Sequence, residues 1–545
     1  MVIKKTAGKI LKGDVKGAVS EVGQQLERTI GLVGVIIISL SAMLGSGLFV
    51  LPSLAAAMMG PGIWLAYLLA ATVVFPGALS KSELASAMPT SGGDYIYIER
   101  TYGPLFGTIA GLGLWASFLL KAAFALIGLS AYMLVVTSFL EIELDMRIVS
   151  LTVLIIVVII NILGVKKIKA IQAPIVTLAI ILLVLLSLKA ILFSEVNLSL
   201  PATSAFDANP FTLAETAAFV FVAYAGVTKV AAIAGEIKNP GKNLPNGMLI
   251  SLATATLLYS GVAYMIMATL DGEWWIVDGV VVEDPIRIFA EHLGGSYIGV
   301  IAAVLAILTM ASMALAGILA ASRYIFAMAR DNLLPQALED VNAKWETPHW
   351  PILITGFFMG LAIIFLDVSV VAKLASGFQI MIFIVVNSCV IVLRKVKTGQ
   401  EWYKPTYISP LFPFVQIWGI IGGVILIVVM GEKAYIGAGT AILFGLVLYY
   451  MYGKNHAHPR ITPFQNFREE FRNPTIDEHR RREVAYHAAD MGGKNHLTLR
   501  EFQVAMHALH FEYSDEECRI IFHEIDISGN GYIEIDEFLT HFENS

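Results

Sequence analysis

Apolar residues are gathered into long blocks through the first 453 positions, and polar residues mostly fill the short gaps between them. A helix that crosses a bilayer needs roughly 20 predominantly apolar residues. About twelve blocks meet that need, near 31–58, 62–87, 104–139, 147–163, 169–193, 212–235, 246–270, 296–328, 350–366, 371–393, 411–430 and 434–453. The blocks at 104–139 and 296–328 are long enough that they must tilt or project beyond the hydrocarbon. Past residue 453 the pattern changes to short amphipathic stretches between polar loops. The pattern predicts an all-α, polytopic membrane protein with about twelve transmembrane helices and a small C-terminal helical domain.

Composition sharpens this reading. Of 545 residues, 57% are hydrophobic and only 15% charged, against about 25% charged in soluble domains. So few charges cannot coat the surface of a soluble enzyme of this length, and a net charge of −6 gives no basic excess for nucleic acid. Cys389 and Cys518 stand far apart, so neither a disulfide framework nor a Cys-based metal site is expected. Residues 454–545 hold 10 Lys+Arg, 17 Asp+Glu and nine of the eleven His. The charges divide the chain into a basic cytoplasmic segment (1–29, without an evident cleavable signal), a membrane domain (30–453), a linker (454–473) and an acidic cytoplasmic tail (474–545).

The gaps orient the membrane domain, because cytoplasmic loops carry the excess of Lys and Arg. Lys81 and Arg100 flank the second gap; Lys166, Lys167 and Lys169 follow run four; Lys238 and Lys242 follow run six; Arg394 and Lys395 follow run ten. Glu141, Glu143, Asp145, Asp271, Glu273, Glu283 and Asp284 lie in the alternate gaps. Both termini are therefore expected in the cytoplasm, in a multi-pass protein of the plasma or inner membrane.

Two runs are interrupted by glycine. Run one reads Gly45-Ser-Gly47 in mid-block, and run six carries Gly226 at the matching offset. Each opens a set of five runs. Small residues let helices pack closely, but matched interruptions in two halves are also the best sequence pointer to a transporter binding site.

Four motifs, in order, resemble the amino acid–polyamine–organocation (APC) transporters: Gly45-Ser-Gly-Leu-Phe-Val-Leu-Pro52, the stretch from Pro89 to Gly103, Gly235-Glu-Ile-Lys-Asn-Pro-Gly-Lys-Asn-Leu-Pro245, and Ala321-Ser-Arg-Tyr-Ile-Phe-Ala-Met-Ala-Arg-Asp331 with Pro335. The resemblance covers roughly 30–450. It implies a five-plus-five inverted repeat with two further helices, and a site for a free amino acid. In that site the amides of Gly45, Ser46 and Gly47, with the Ser46 hydroxyl, would hold the carboxylate. Carbonyls near Met43, Val222 and Ala225 would hold the ammonium, with Tyr224 and Gly226 beside them. Val222 stands where relatives often carry a bulky aromatic, and Ala179 near where some proton-coupled relatives carry a lysine.

Charge inside a span is costly and marks function by default. Lys229 and Lys121 are therefore candidates for coupling to a cation, proton or sodium, in symport or antiport. The alternative is that each snorkels or is permanently paired. Lys189 and Lys373 sit near span ends, where snorkelling suffices.

In the tail, Asp526, Ser528, Asn530, Tyr532 (by its carbonyl), Glu534 and Glu537 fall on the ligand positions of a calcium loop, with Gly531 at the sharp turn. A second candidate, Asp490 to Glu501, has Lys494 where an oxygen belongs and is read as a structural partner only. The two resemble a calmodulin-like EF-hand pair. Thr475–Glu478 and Ser514–Glu517 read as capping boxes, and Val484, Phe502, Ile521, Phe522 and Phe538 as a shared core. The histidines show no zinc spacing. The expected function is secondary amino-acid transport by alternating access with calcium-dependent regulation, the tail docking on the body or on another protein. The rivals are an amino-acid-sensing transceptor or scaffold without net flux, and a polyamine or organic-cation exchanger. No catalytic constellation is present.

Overall fold

The computed structural model describes residues 30–88, 92–139, 141, 144–163, 168–342, 345, 347–396, 403–457, 462–472, 478–490, 494–509, 511, 513 and 515–543. The basic segment 1–29 and the residues Thr475 and Ser514, expected to open capping boxes, lie outside these.

The first apolar run forms three pieces, α1 (Leu32–Met43), α2 (Ser46–Phe49) and α3 (Leu51–Met59). Then come α4 (Ile63–Ala87), the short α5 (Asp94–Tyr102), α6 (Pro104–Phe139), α7 (Met146–Leu163), α8 (Ile168–Phe193), α9 (Ser199–Asp207) and α10 (Pro210–Val220). A 3₁₀ segment, Phe221–Glu236, continues α10 and precedes α11 (Pro240–Thr269). A hairpin of β1 (Ile276–Val277) and β2 (Val280–Val281), then α12 (Pro285–Gly294), lead to α13 (Ser296–Arg330), α14 (His349–Phe365), α15 (Val368–Lys395), α16 (Phe414–Val429) and α17 (Glu432–Leu448). Among the described residues, nine helical stretches are long and apolar enough to cross a membrane, α3 and α4 counting together; α1, α14 and α16 are apolar but shorter.

The body is apolar outside and partly polar within, as lipid rather than water requires. On α7 and α8, Ile148, Ile155, Ile159, Leu178, Leu185 and Leu192 are exposed, while Lys81, Glu83, Asp94 and Lys121 are buried. Helices α6 and α13 pack along one another. A Cβ at Gly317 would stand 2.6 Å from that of Ala122, so a small residue sets this approach.

Beyond the body, α18 (Pro463–Arg472) precedes the tail domain: α19 (Glu478–Ala489), β3 (His496–Leu497), α20 (Leu499–Ala508), α21 (Asp515–Ile525), β4 (Ile533–Glu534) and α22 (Ile535–Glu543). Strands β3 and β4 pair antiparallel, joining the two loops. Phe502, Phe522 and Phe538 are buried with Tyr486, Leu497 and Ile533, and Ile521 packs at the edge. Val484 departs from expectation and is exposed; it lies on the outer face of α19, whose inner face presents Ala485, Tyr486 and Ala489.

Candidate functional site

The interruption at Gly45 is a true break in the helix. Residues 44 and 45 form a turn between α1 and α2, and the Gly45 carbonyl accepts from the Leu48 and Phe49 amides at 3.0 Å each. Ser46 and Gly47 open α2, so their amides have no partner within their own helix. The Val50 amide bonds the Ser46 carbonyl at 3.0 Å and carries the chain into α3. Ser46 is buried, its Oγ 3.7 Å from Met313 Sδ on α13. A Cβ at Gly47 would stand 2.8 Å from that of Ala223, and one at Gly226 would collide with the backbone of Ala42 and Met43. These glycines therefore let the two interrupted segments touch.

The second interruption is wider than a single glycine. The α-helix ends at Val220 and the backbone runs as 3₁₀ through the next 16 residues, an unusual length that marks a hinge or a site under strain. Its freed groups are bound by side chains from three helices. Ser376 Oγ on α15 accepts from the Val222 amide at 2.9 Å and donates to the Phe219 carbonyl at 2.9 Å. The Ala223 carbonyl accepts from Lys121 Nζ at 3.3 Å and from the Tyr259 hydroxyl at 3.2 Å. Tyr67 donates to the Gly47 carbonyl at 3.0 Å, and Tyr224 to the Tyr67 carbonyl at 3.0 Å. Met43, Val222, Tyr224 and Ala225 are all buried here. The sequence reading missed Tyr67, Tyr259, Met313 and Ser376, because lone hydroxyls and a methionine in apolar helices follow no spacing rule.

Lys121 and Lys229 meet. Together with Ala42, Phe118, Met313 and Gly317 they line a cavity of about 10 Å³, near the lower limit for one water. Lys121 is anchored on the Ala223 carbonyl, whereas Lys229 makes no hydrogen bond or ion pair among the described residues. Lys373, expected to snorkel, instead pairs with Glu215 at 3.2 Å.

Residues 30–451 match the amino acid permease family model. The chain belongs to that family, a group of APC transporters and not of enzymes. It is 28% identical over 447 residues to a branched-chain amino acid permease of Bacillus subtilis, covering 80% of this chain and 95% of that one. A branched-chain amino acid permease of Lactococcus lactis is 26% identical over 403 residues, 69% of this chain and 83% of its own. A methylthioribose transporter of B. subtilis is 29% identical over 244 residues, 44% and 51% of the two chains. Residues 482–543 match an EF-hand domain pair.

Two sets of polar ties join the helices of the permease body. At one end, Lys81 is wholly buried and pairs with Asp94 at 2.6 Å; it is no loop charge, although its position in the second gap read as one. Glu83 takes a two-pronged contact from Arg394, the Tyr403 hydroxyl at 2.7 Å and the Ser409 amide at 2.8 Å. At the other end, Tyr132 donates to the Phe49 carbonyl at 2.5 Å and accepts from the Ile286 amide at 3.3 Å, joining α6, α2 and α12. Beside it, Glu283, Asp284, Arg287 and Glu291 line an open cavity of about 690 Å³. Burial, and Asp284 nearby, push the Glu283 carboxyl up to about 7.

In the EF-hand loop, Asp526 accepts from the Asn530 and Gly531 amides at 3.1 and 2.9 Å. Glu537 accepts from the Ser528 and Glu534 amides, both at 2.9 Å. Gly531 has φ +81°, the left-handed turn that position six demands. Three carboxylates and the neutral oxygens of Ser528, Asn530 and Tyr532 are the hard donors calcium takes, so the residues fit. Among the described residues, no three His, Cys, Asp or Glu side chains converge as a metal-ligating group. In the first loop, Asp490 accepts from the Lys494 and Asn495 amides at 3.0 and 2.7 Å, and Asn495 takes the left-handed turn with φ +57°.

Proposed function

We propose that the protein is a secondary active transporter of amino acids, working by alternating access, coupled to a cation, and regulated by calcium through its cytoplasmic tail. The observation that carries the reading is the break at Gly45–Ser46 lying against the unwound 3₁₀ segment. The amides of Gly45, Ser46 and Gly47 would take the carboxylate, and the helix dipole would add attraction. Carbonyls near Met43, Val222 and Ala225 would take the ammonium. Apolar Phe118, Met313 and Val222 nearby suit an apolar side chain, in keeping with relatives named as branched-chain permeases.

Lys229 is the stronger coupling residue, because Lys121 is already held by a carbonyl. The amides at the Gly45–Gly47 break suit a carboxylate, which weighs against a polyamine, since it carries none. The domains proposed are 30–453 for transport and 474–545 for calcium, with both termini cytoplasmic and the body built as an inverted repeat of five and five. Asp526, Ser528, Asn530, Tyr532, Glu534 and Glu537 would hold one calcium ion. Purified protein in liposomes, offered labelled amino acids across imposed proton and sodium gradients, should accumulate at least one of them under one gradient. Saturable binding without accumulation would favour the transceptor.

A further inference from the structure

Within the segment between the body and the EF-hand pair, residues 462–472 form a capped helix that packs on the body. Thr462 Oγ1 accepts from the Gln465 amide at 3.3 Å, and Gln465 Oε1 accepts from the Thr462 amide at 3.0 Å. This reciprocal cap, with Pro463 at the first helical position, starts α18 firmly. Thr462 and Pro463 are buried. The Phe464 ring lies 4.9 Å from that of Tyr102, and a Cβ at Gly103 would come within 3.0 Å of the Thr462 methyl. Helix α18 thus packs on α5 and α15.

Helix α5 is the place where one end of the body is tied together. Its Asp94 pairs with Lys81 of α4. The Tyr95 hydroxyl donates to Asp331, just past α13, at 2.9 Å. The Tyr102 hydroxyl donates to Ser388 of α15 at 2.7 Å. Phe464 therefore rests on the residue that joins α5 to α15, and α15 also carries Ser376, which holds Val222 and Phe219 at the start of the 3₁₀ segment. Contacts therefore lead from α18, through Tyr102 and α15, to the backbone of the candidate site.

We propose that α18 is a clasp: seated on Tyr102, it holds α5 and α15 in the arrangement seen, and calcium loading of the 526–537 loop changes how often it is seated. The calcium step rests on the regulatory reading above; the clasp does not. A calcium effect on the seat requires that the tail bind calcium differently with α18 seated and released.

The test is amide hydrogen exchange over residues 94–103 of the full-length protein in nanodiscs, in calcium and in EGTA. In Phe464→Ala, exchange there should rise by about fivefold, the low end of ordinary coupling between sites, and should no longer depend on calcium. Phe464→Trp should restore both behaviours. Wild-type exchange in Phe464→Ala, or exchange that stays raised in Phe464→Trp, overturns the clasp. A clasp effect with no calcium effect in the wild type refutes the calcium step alone. Loss of the transport reading leaves this result untouched, because exchange needs no substrate.

Discussion

The Lys121 ammonium donates to the carbonyl of Ala223, 102 residues away, at 3.3 Å. That carbonyl lies inside the 3₁₀ segment, and Lys121 shares a small cavity with Lys229. The two lysines therefore have different tasks: one braces the unwound backbone, and the other stands against the cavity without a hydrogen bond or ion pair among the described residues.

Different tasks give different losses. Lys121→Met removes a buried hydrogen bond to the unwound backbone, worth about 1 kcal/mol, and should weaken substrate binding about fivefold. Lys229→Met should leave substrate exchange intact and abolish the dependence of uptake on a pH gradient. Uptake and counterflow in proteoliposomes check both; gradient-driven accumulation that persists in Lys229→Met would make that lysine structural.

The apolar blocks, the Gly45 break and the calcium loop were legible because each has a local cause: hydrophobic length, a backbone that must unwind, a twelve-residue ligand spacing. What escaped depends on partners distant in sequence. Lys81 looked like a loop cation, and only Asp94 folding back on it shows that the charge is internal. The start of the 3₁₀ segment is held by Ser376, Lys121 and Tyr259, from three other helices. Val484 was apolar but stands on the outer face of α19. Two signals were present and unread: Thr462-Pro-Phe-Gln465 and Thr498-Leu-Arg-Glu501 both spell capping boxes, and both form.

The Lys81–Asp94 pair is buried, with side-chain exposures of 0% and 2%. Removing one partner strands the other charge, at a cost of about 3–5 kcal/mol. Lys81→Met should lower the thermal unfolding temperature sharply. Lys81→Met with Asp94→Leu should recover much of it, as followed by fluorescence-detected unfolding in detergent.

Glu283 predicts a pH effect at the opposite end. Its carboxyl is raised from 4.5 to about 7 by burial, so the fold favours its protonated form. The associated stability is present below pH 4.5 and is lost as pH rises through 7. Unfolding temperature should fall across that window, and Glu283→Gln should flatten the fall.

Calorimetry on the full-length protein should find one calcium ion bound, with a dissociation constant of about 10⁻⁷–10⁻⁵ M, the range of sensor EF-hands. Glu537→Gln should abolish it. Two ions would show that the Asp490 loop binds despite Lys494.

The central claim is that the backbone break at Gly45–Gly47 is the amino-acid site. Gly47→Val tests it poorly, because its side chain would strike Ala223 and disturb packing. Ser46→Ala tests it directly, because it removes the hydroxyl without adding bulk against Met313. Scintillation-proximity binding of the labelled amino acid that the wild type accumulates should weaken about tenfold in Ser46→Ala, the worth of one hydrogen bond to a charged group, while the protein still inserts and unfolds near the wild-type temperature. Binding at wild-type affinity in that variant would contradict the account.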